Sequence, residues 1–317
     1  LMQAEGAVQY LAEIERLTDA DMDEAKESAA YFDSVREATE PLFGFFSFVH
    51  ALSWVDPNAE ERKAVTALLD GLFGTDKEIF EIASGRREPR APLKFRLSKE
   101  QVLRMSDEAI LAAHTDTPDQ KFLARYVSLV RLLDRTQRLI SDERFLHWEL
   151  AFPGVWSDWS SAEPKGGFDA IVGNPPWDRM KMQEVEWFAA RKPDIARQPR
   201  AADRKAAIKA LEATGDPLAD QYALARHRAE RGAKLATKKG GPYPWLGRGD
   251  VNLYSLFVER ALQLIRPSGF SGLLVPSGIA SDKTASDFFK SVSTAGRVRT
   301  LFDFENRGRY FPEVHRS

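Results

Sequence analysis

Two consecutive prolines directly after a short apolar run constrain the fold more than any other feature of the chain. Residues 168–173 read FDAIVG, and Asn174, Pro175, Pro176 and Trp177 follow. Proline fixes φ and lacks the N–H that a helix or strand interior needs, so the paired prolines must end the apolar run. The sequence therefore predicts a short buried strand over 168–173 that runs into a rigid turn with outward-pointing carbonyls.

The second half of the chain alternates between apolar runs and amphipathic stretches. We predict a helix over 252–266, a buried strand over 270–275, a helix over 286–295 and a strand over 298–304. The tripeptide PSG at 267–269 marks the end of the first of these helices. Such alternation is typical of a parallel α/β sheet with crossover helices.

The first 140 residues have the apolar spacing of helices. Thr18 with Asp21 resembles a capping box and predicts a helix from there to about Thr39. Two further amphipathic helices are predicted over 60–73 and 119–140. The strongly aromatic stretch 42–54 is expected to pack in a core, and the proline- and arginine-rich stretch 86–92 is expected to be a loop.

Charge is unevenly distributed, although the formal net charge is only −2. Residues 1–40 carry eleven acidic and three basic side chains, whereas residues 178–239, here called the basic segment, carry fifteen basic and nine acidic ones. The basic segment reads as helical and is a candidate surface for a polyanion, although a solvated helix face would show the same run of charge. Its candidate phosphate-contacting residues are Arg191, Lys192, Arg197, Arg200, Arg204, Lys205, Lys238 and Lys239.

Composition excludes several kinds of site. The chain has no Cys, so disulfides, thiol nucleophiles and thiolate metal sites are absent, and its five His residues are too scattered to suggest a metal centre. We see neither a membrane span nor a secretory signal, and expect a cytoplasmic protein with no membrane partner. The chain opens inside what reads as a helix and ends without a closing element, so we expect a part of a longer protein.

The turn after the first strand combines hydrogen-bond acceptors with an aromatic plane. The Asn174 amide oxygen and the Pro175 carbonyl form a pair of acceptors suited to an exocyclic amino group. Trp177 offers a flat surface for a planar base, and such stacking contributes roughly 1–3 kcal/mol per base. The carboxyl ends of strands form the ligand crevice of open α/β sheets, which favours a binding site here over a purely structural turn.

A strand followed by Asn-Pro-Pro-aromatic resembles the catalytic motif of adenine-N6-specific DNA methyltransferases that use S-adenosyl-L-methionine. Similar strings occur in type IIG-like restriction–modification methylases and phage-defence methylases. The resemblance covers residues 145–317, and residues 1–144 then read as a helical insertion or accessory region. The stretches that carry it, besides the turn, are 145–153 (FLHWELAFP), 252–262 (NLYSLFVERAL), 272–279 (GLLVPSGI), 301–307 (LFDFENR) and 311–317 (FPEVHRS).

This resemblance implies a fold and a mechanism. The fold would be part of a Rossmann-like α/β methyltransferase sheet, and the reaction would transfer a methyl group from S-adenosyl-L-methionine to N6 of an adenine flipped out of double-stranded DNA. Trp177 would stack on the adenine, while Asn174 and the Pro175–Pro176 backbone would hold its amino group. A restriction or specificity subunit is a further expected partner.

One departure from the family pattern concerns the cofactor. The glycine-rich motif that binds S-adenosyl-L-methionine should precede the turn, yet residues 1–173 contain none. We therefore leave the cofactor-binding residues unassigned and expect the 317-residue chain alone to bind this cofactor weakly or not at all.

Other functions remain open at this point. The same turn can serve a methyltransferase that acts on RNA or on a protein glutamine amide. A non-catalytic DNA-binding or assembly segment, with residues 1–140 docking a partner subunit, is the alternative from a different class.

Overall fold

The chain forms two compact units, residues 1–167 and residues 168–317. The computed structural model describes residues 2–18, 21–92, 95, 97–115, 119–157 and 165–304. The predicted division into a helical region over 1–144 and a catalytic region over 145–317 stays a prediction.

The first unit is helical, as the apolar spacing predicts, and it also contains one short antiparallel strand pair. The short helices between residues 76 and 113 were not predicted, because they are too short to show a repeated apolar spacing. The helices are α1 (Met2–Ile14), α2 (Met22–Val55), α3 (Ala59–Leu69), α4 (Asp76–Ala83), α5 (Lys99–Arg104), α6 (Asp107–Ala113), α7 (Gln120–Glu143) and α8 (Trp148–Ala151), and the strands are β1 (Trp156–Ser157) and β2 (Lys165–Gly166).

Helix α2 begins three residues later than the predicted capping box of Thr18 and Asp21 implies, and it is much longer than predicted. The Asp21 carboxylate caps it by accepting the backbone N–H groups of Asp23 and Glu24. The predicted end at Thr39 is wrong, because the helix continues through Pro41 to Val55. Proline removes only one backbone hydrogen bond there. Beyond it Phe48 is buried in the core and Phe45 packs against that core, which favours continuing the helix, whereas Phe46 is exposed and does not pack in the core as predicted.

The core of the first unit lies between α7 and the helices packed around it. Helix α7 covers the predicted helix over 119–140, and Asp119 caps it by accepting the Phe122 N–H at 3.0 Å. The predicted helix over 60–73 ends earlier, at Leu69, because the chain turns at Gly71 with φ at 79°. Core side chains include Phe48, Leu68, Phe73, Ile82, Leu123 and Leu129.

The stretch 86–92 is a loop, as predicted, and its arginines bind the preceding helix. Arg87 contacts Glu78 at 2.9 Å and Glu81 at 2.6 Å, while Arg90 contacts Glu78 at 2.8 Å. The two arginines hold the pKa of Glu78 below its usual range, although its bonds with the Thr75 backbone and hydroxyl lower that pKa more.

The second unit combines helices with a parallel pair of strands. As the alternating pattern predicts, β3 and β4 run parallel, with Ala170 paired to Phe270 and Gly173 to Leu273. The elements are β3 (Phe168–Gly173), α9 (Glu184–Ala189), α10 (Pro193–Ala196), α11 (Ala201–Thr214), α12 (Pro217–Ala236), α13 (Leu253–Leu264), β4 (Ile265–Leu273), α14 (Gly278–Ser281) and α15 (Ser286–Thr294).

Strand β4 starts earlier than predicted. Helix α13 ends at Leu264, so residues 267–269 do not end the helix but form an irregular start of the strand. A Cβ atom at Gly269 would lie 2.7 Å from the Phe168 carbonyl oxygen, so glycine is what allows the strand to pass so close to β3.

Three sequence expectations about the sheet are wrong. Neither β3 nor β4 is buried, since Val172 is 85% exposed and Phe270 is 58% exposed. Residues 298–304 form no strand, and Phe302 and Phe304 are exposed. An apolar run becomes a strand only when a neighbouring strand accepts its backbone hydrogen bonds, and no strand in the described part of the chain pairs with it. The described residues thus show a two-stranded parallel sheet, and a larger Rossmann-like sheet stays a prediction.

None of the described helices is long and apolar enough to cross a lipid bilayer.

Two phenylalanines of α2 differ in burial, and this predicts different losses of stability when each is replaced by alanine. Phe48 is 1% exposed in the core, whereas Phe32 is 50% exposed. Phe48→Ala should lower the free energy of unfolding by about 3–5 kcal/mol, because it removes apolar contacts and leaves a cavity. Phe32→Ala should change it by less than about 1 kcal/mol. Urea denaturation followed by circular dichroism measures both, and equal losses would contradict this placement of the core.

Candidate active site at the Asn-Pro-Pro-Trp turn

Residues 174–177, the Asn-Pro-Pro-Trp turn, leave the sheet at the carboxyl end of β3. Because β3 and β4 are parallel, the segment that follows β4 leaves from the same edge. The Leu274 N–H donates to the Gly173 carbonyl at 3.0 Å, which extends the pairing one residue beyond the strands. The first residue of the turn therefore follows a fixed backbone position.

The chain is also fixed immediately after the turn. The Leu253 N–H donates to the Asp178 carbonyl at 2.8 Å, and the Met180 N–H donates to the Val251 carbonyl at 3.0 Å. These bonds join the exit of the turn to the segment that begins α13. The turn is thus held by backbone hydrogen bonds at both ends.

The turn presents acceptors that the described part of the chain leaves unused. Asn174 is exposed, and its side chain makes no hydrogen bond with any described residue. Pro175 is buried and Pro176 is exposed, and within the described ranges neither carbonyl accepts a hydrogen bond. Prolines supply no N–H, so these two positions can accept hydrogen bonds but cannot donate them.

Trp177 is half-buried and is held in one orientation. Its indole N–H donates to the Leu274 carbonyl at 3.3 Å, which joins the turn to the segment after β4. The indole also packs against a group of buried side chains drawn from three stretches of the chain. This group, here called the loop cluster, consists of Leu246, Tyr254, Ile279, Ala285 and Phe288.

Residues 242–248, here called the Trp245 loop, supply Leu246 to the loop cluster. The sequence leaves open whether the glycine-rich stretch 239–242 covers the base pocket or merely connects two helices. The structure favours a fixed connection at its end, because the Gln263 amide donates to the Pro242 carbonyl at 2.8 Å. Glu259 also binds this loop, and sequence reasoning missed it. One sequence signal could have identified Glu259: it stands three residues after Leu256, and this spacing places its carboxylate on the buried side of α13.

Tyr254 brings a hydroxyl into the loop cluster. Burial raises its pKa, and Asp282 raises it further, against a smaller lowering by a hydrogen bond with Asn252. The hydroxyl therefore stays protonated at neutral pH and can act only as a neutral donor or acceptor.

The basic segment folds around its own small core. Trp187 lies in it, with ring centroids 4.7 Å from Phe188 and 5.3 Å from Tyr222. This arrangement gives Trp187 a packing role. The core consists of Phe188, Ile195, Ile208, Leu211, Ala219 and Tyr222, with Met182, Trp187, Ala196, Ala207 and Leu218 packed against it.

Three of the eight basic residues predicted to contact phosphate are engaged within the protein. Lys192 pairs with Asp216 at 3.0 Å, and Arg204 pairs with Glu184 at 3.3 Å. The Arg191 guanidinium lies 4.5 Å from the centroid of the Trp187 ring. The other five are exposed and form no ion pair with a described residue; they are Arg197, Arg200, Lys205, Lys238 and Lys239.

A groove of about 470 Å³ begins directly after the turn. One side is formed by residues 178–183, and the other by Glu186, Trp187, Ala225 and Ala229. Its lining mixes acidic, basic and apolar side chains. Across the described part of the chain, no three potential metal ligands come together.

Comparison with known families supports one of the classes of protein that such a turn allows. Residues 90–208 match the model of the Eco57I restriction-modification methylase family. The matched region contains the Asn-Pro-Pro-Trp turn and thereby supports a restriction–modification methyltransferase. No curated protein and no solved structure matches the chain.

The Eco57I methylase match differs in extent from the sequence resemblance. It starts at residue 90 and so includes α5, α6 and α7, which the sequence assigns to an accessory region. It ends at residue 208, within α11, before the Trp245 loop and β4.

Arg204 and Lys205 are adjacent on α11, and replacing each in turn tests which of the two basic side chains stabilises the fold. Arg204 pairs with Glu184, which also accepts the Tyr222 hydroxyl at 2.9 Å, whereas Lys205 is exposed. Arg204→Gln should lower the free energy of unfolding by about 1–2 kcal/mol, because a partly buried carboxylate loses its cation. Lys205→Gln should stay within about 0.5 kcal/mol of the unchanged protein. Urea denaturation compares them, and equal stabilities would contradict a structural role for Arg204.

Proposed function

We propose that this protein is a site-specific DNA methyltransferase that acts on N6 of adenine in a restriction–modification or defence system. The observation that carries the proposal is the rigid turn of residues 174–177, which presents unused acceptors beside a half-buried Trp at the carboxyl edge of a parallel strand pair. The Eco57I methylase match over residues 90–208 supports the same reaction class.

The substrate half of the reaction follows from the acceptors of the turn. An aromatic amino group has two N–H donors in the plane of its ring. The Asn174 amide oxygen and the Pro175 carbonyl would accept one each and would bend these N–H bonds out of the ring plane, which frees the nitrogen lone pair for attack. As the new N–C bond forms, the bond between the methyl carbon and the sulfur of its donor breaks, and the nitrogen then releases one proton to solvent.

Trp177 would provide the stacking surface for the base. An adenine in a duplex must leave the helix before its amino group can reach a turn of this kind. Stacking on an aromatic side chain recovers roughly 1–3 kcal/mol of that cost. Because the Trp177 indole N–H is bonded to the Leu274 carbonyl, its ring is oriented before the base arrives.

Double-stranded DNA would be held largely through its phosphates. Arg197, Arg200, Lys205, Lys238 and Lys239 are the exposed cations of the basic segment that form no ion pair with a described residue. Contacts of this kind release counterions, so they contribute affinity without sequence preference and weaken steeply as salt rises.

S-adenosyl-L-methionine is the proposed methyl donor and would supply an electrophilic methyl group. The described residues do not fit a complete site for it. Neither the turn nor the segment after β4 provides a glycine-rich backbone cradle, and the adjoining groove is lined mainly by long side chains. We therefore assign to the described residues only the binding and orientation of the amino group.

Asn174→Ala tests the proposed site without disturbing the fold. Methyl transfer to adenine in DNA by the full-length enzyme should fall by about 100-fold or more, because a preorganised hydrogen-bonding group is removed. The free energy of unfolding should change by less than about 0.5 kcal/mol, since the side chain makes no bond with a described residue.

The assay counts radiolabelled methyl groups transferred to DNA, to RNA and to a glutamine-containing protein. Transfer to RNA or to the protein amide alone would support the alternative substrates and overturn DNA. Undiminished DNA methylation by the Asn174→Ala enzyme would refute the site.

Lys205→Gln tests the phosphate contacts. The slope of log affinity for duplex DNA against log salt concentration should decrease in magnitude by about 1, as expected for one lost phosphate contact. Lys77→Gln, an exposed substitution on α4, is the matched control and should leave the slope unchanged. Fluorescence anisotropy over a salt series measures both, and identical slopes for the two variants would argue for a solvated face.

A further inference from the structure

Glu259 is a buried carboxylate on α13 that the proposed reaction does not use. It is 1% exposed, and its two carboxylate oxygens accept different backbone N–H groups. Oε1 accepts from Trp245 at 3.0 Å and Oε2 accepts from Leu246 at 2.7 Å. Both amides belong to the Trp245 loop.

Two backbone amides stabilise the Glu259 carboxylate in the role that a cationic side chain often has. Glu259 forms no ion pair with a described Lys or Arg, so the two N–H groups are what stabilise its charge. A buried carboxylate costs several kcal/mol in lost hydration unless it is well bonded. An apolar side chain at position 259 would avoid that cost, yet it would leave two buried or half-buried amides without an acceptor.

Neighbouring contacts make the Trp245 loop a fixed element. The Gln263 amide, one turn along α13, donates to the Pro242 carbonyl at 2.8 Å. A Cβ atom at Gly247 would clash with the Ala236 carbonyl oxygen at the end of α12, so the loop backbone is also closely packed against that helix. Glu259 lies between these two contacts and binds the centre of the loop.

The loop is connected to the Asn-Pro-Pro-Trp turn through Leu246. The amide of Leu246 is bonded to Glu259, and its side chain is a 5% exposed member of the loop cluster. Trp177 packs against that same cluster. A displacement of the Leu246 backbone therefore changes the apolar support beneath the ring that is proposed to stack on the base.

We propose that Glu259 is a positioning residue for the methyl-transfer site. Its carboxylate fixes the backbone of Trp245 and Leu246, and Leu246 with the rest of the loop cluster fixes the indole of Trp177. The part of this inference that concerns methyl transfer rests on the proposed function. The two hydrogen bonds from the Trp245 and Leu246 amides to Glu259, here called the clamp, do not depend on it.

Hydrogen exchange on the chain tests the clamp without reference to activity. In Glu259→Gln the side-chain NH2 replaces one acceptor with a donor, so it opposes a backbone N–H. The Trp245 and Leu246 amides should exchange roughly tenfold faster or more, because each loses a charge-assisted bond, while amides in the middle of α13 keep their protection. Glu230→Gln, an exposed carboxylate on α12 paired with Arg226, is the matched control and should change neither amide.

Glu259→Asp keeps the measurement informative if Glu259→Gln fails to fold. It retains the charge but withdraws both oxygens by one methylene, so a smaller and still selective loss of protection is expected at the same two amides. Unchanged exchange at Trp245 and Leu246 in a folded Glu259 variant would overturn the clamp, as would a uniform loss across α13.

Kinetics of the full-length enzyme test the connection to the site. Glu259→Gln should lower kcat by roughly tenfold or more with a smaller change in the KM for DNA, because Arg197, Arg200 and Lys205 lie outside the Trp245 loop. In a double-mutant cycle, the kcat loss from Glu259→Gln should shrink when Trp177 is already Phe. Additive losses would overturn a connection through Trp177. A wild-type enzyme without methyl transfer would instead refute the proposed function and leave the exchange result standing.

Discussion

Parallel hydrogen bonding between β3 and β4 brings together segments that lie far apart in the sequence. With Gly173 opposite Leu273, the two strands end together, and the segments that follow them leave the sheet side by side. The bond from the Trp177 indole to the Leu274 carbonyl depends on that register. A shift of one residue would reverse which side chains face each side of the sheet and separate the indole from its acceptor.

Much of this arrangement could be predicted from the sequence because local rules determine it. The paired prolines end β3, the apolar spacing over 119–140 predicts α7, and the alternation of elements predicts a parallel pair. Two of the failures involve distant partners. Helix α2 passes Pro41 because residues beyond it find a core, and residues 298–304 form no strand because no described strand pairs with them.

The candidate site shows the same division between local and distant information. Asn174 and Trp177 follow from a tetrapeptide that can be read directly. The role of Glu259 was not predicted, because it depends on hydrogen bonds from two backbone amides that lie thirteen and fourteen residues earlier in the chain. Likewise, the charge count of the basic segment does not separate Arg204, which is paired with Glu184, from its exposed neighbour Lys205.

The missing N–H groups of Pro175 and Pro176 also bear on how such a site changes during evolution. At these two positions the backbone can only accept hydrogen bonds. A base that presented a carbonyl group there would place oxygen against oxygen with no hydrogen between them, whereas a base that presented an amino group could donate hydrogen bonds. That discrimination resides in the main chain and is insensitive to exchanges of the surrounding side chains. Replacing either proline by any other amino acid would introduce a donor and weaken this preference for an amino group.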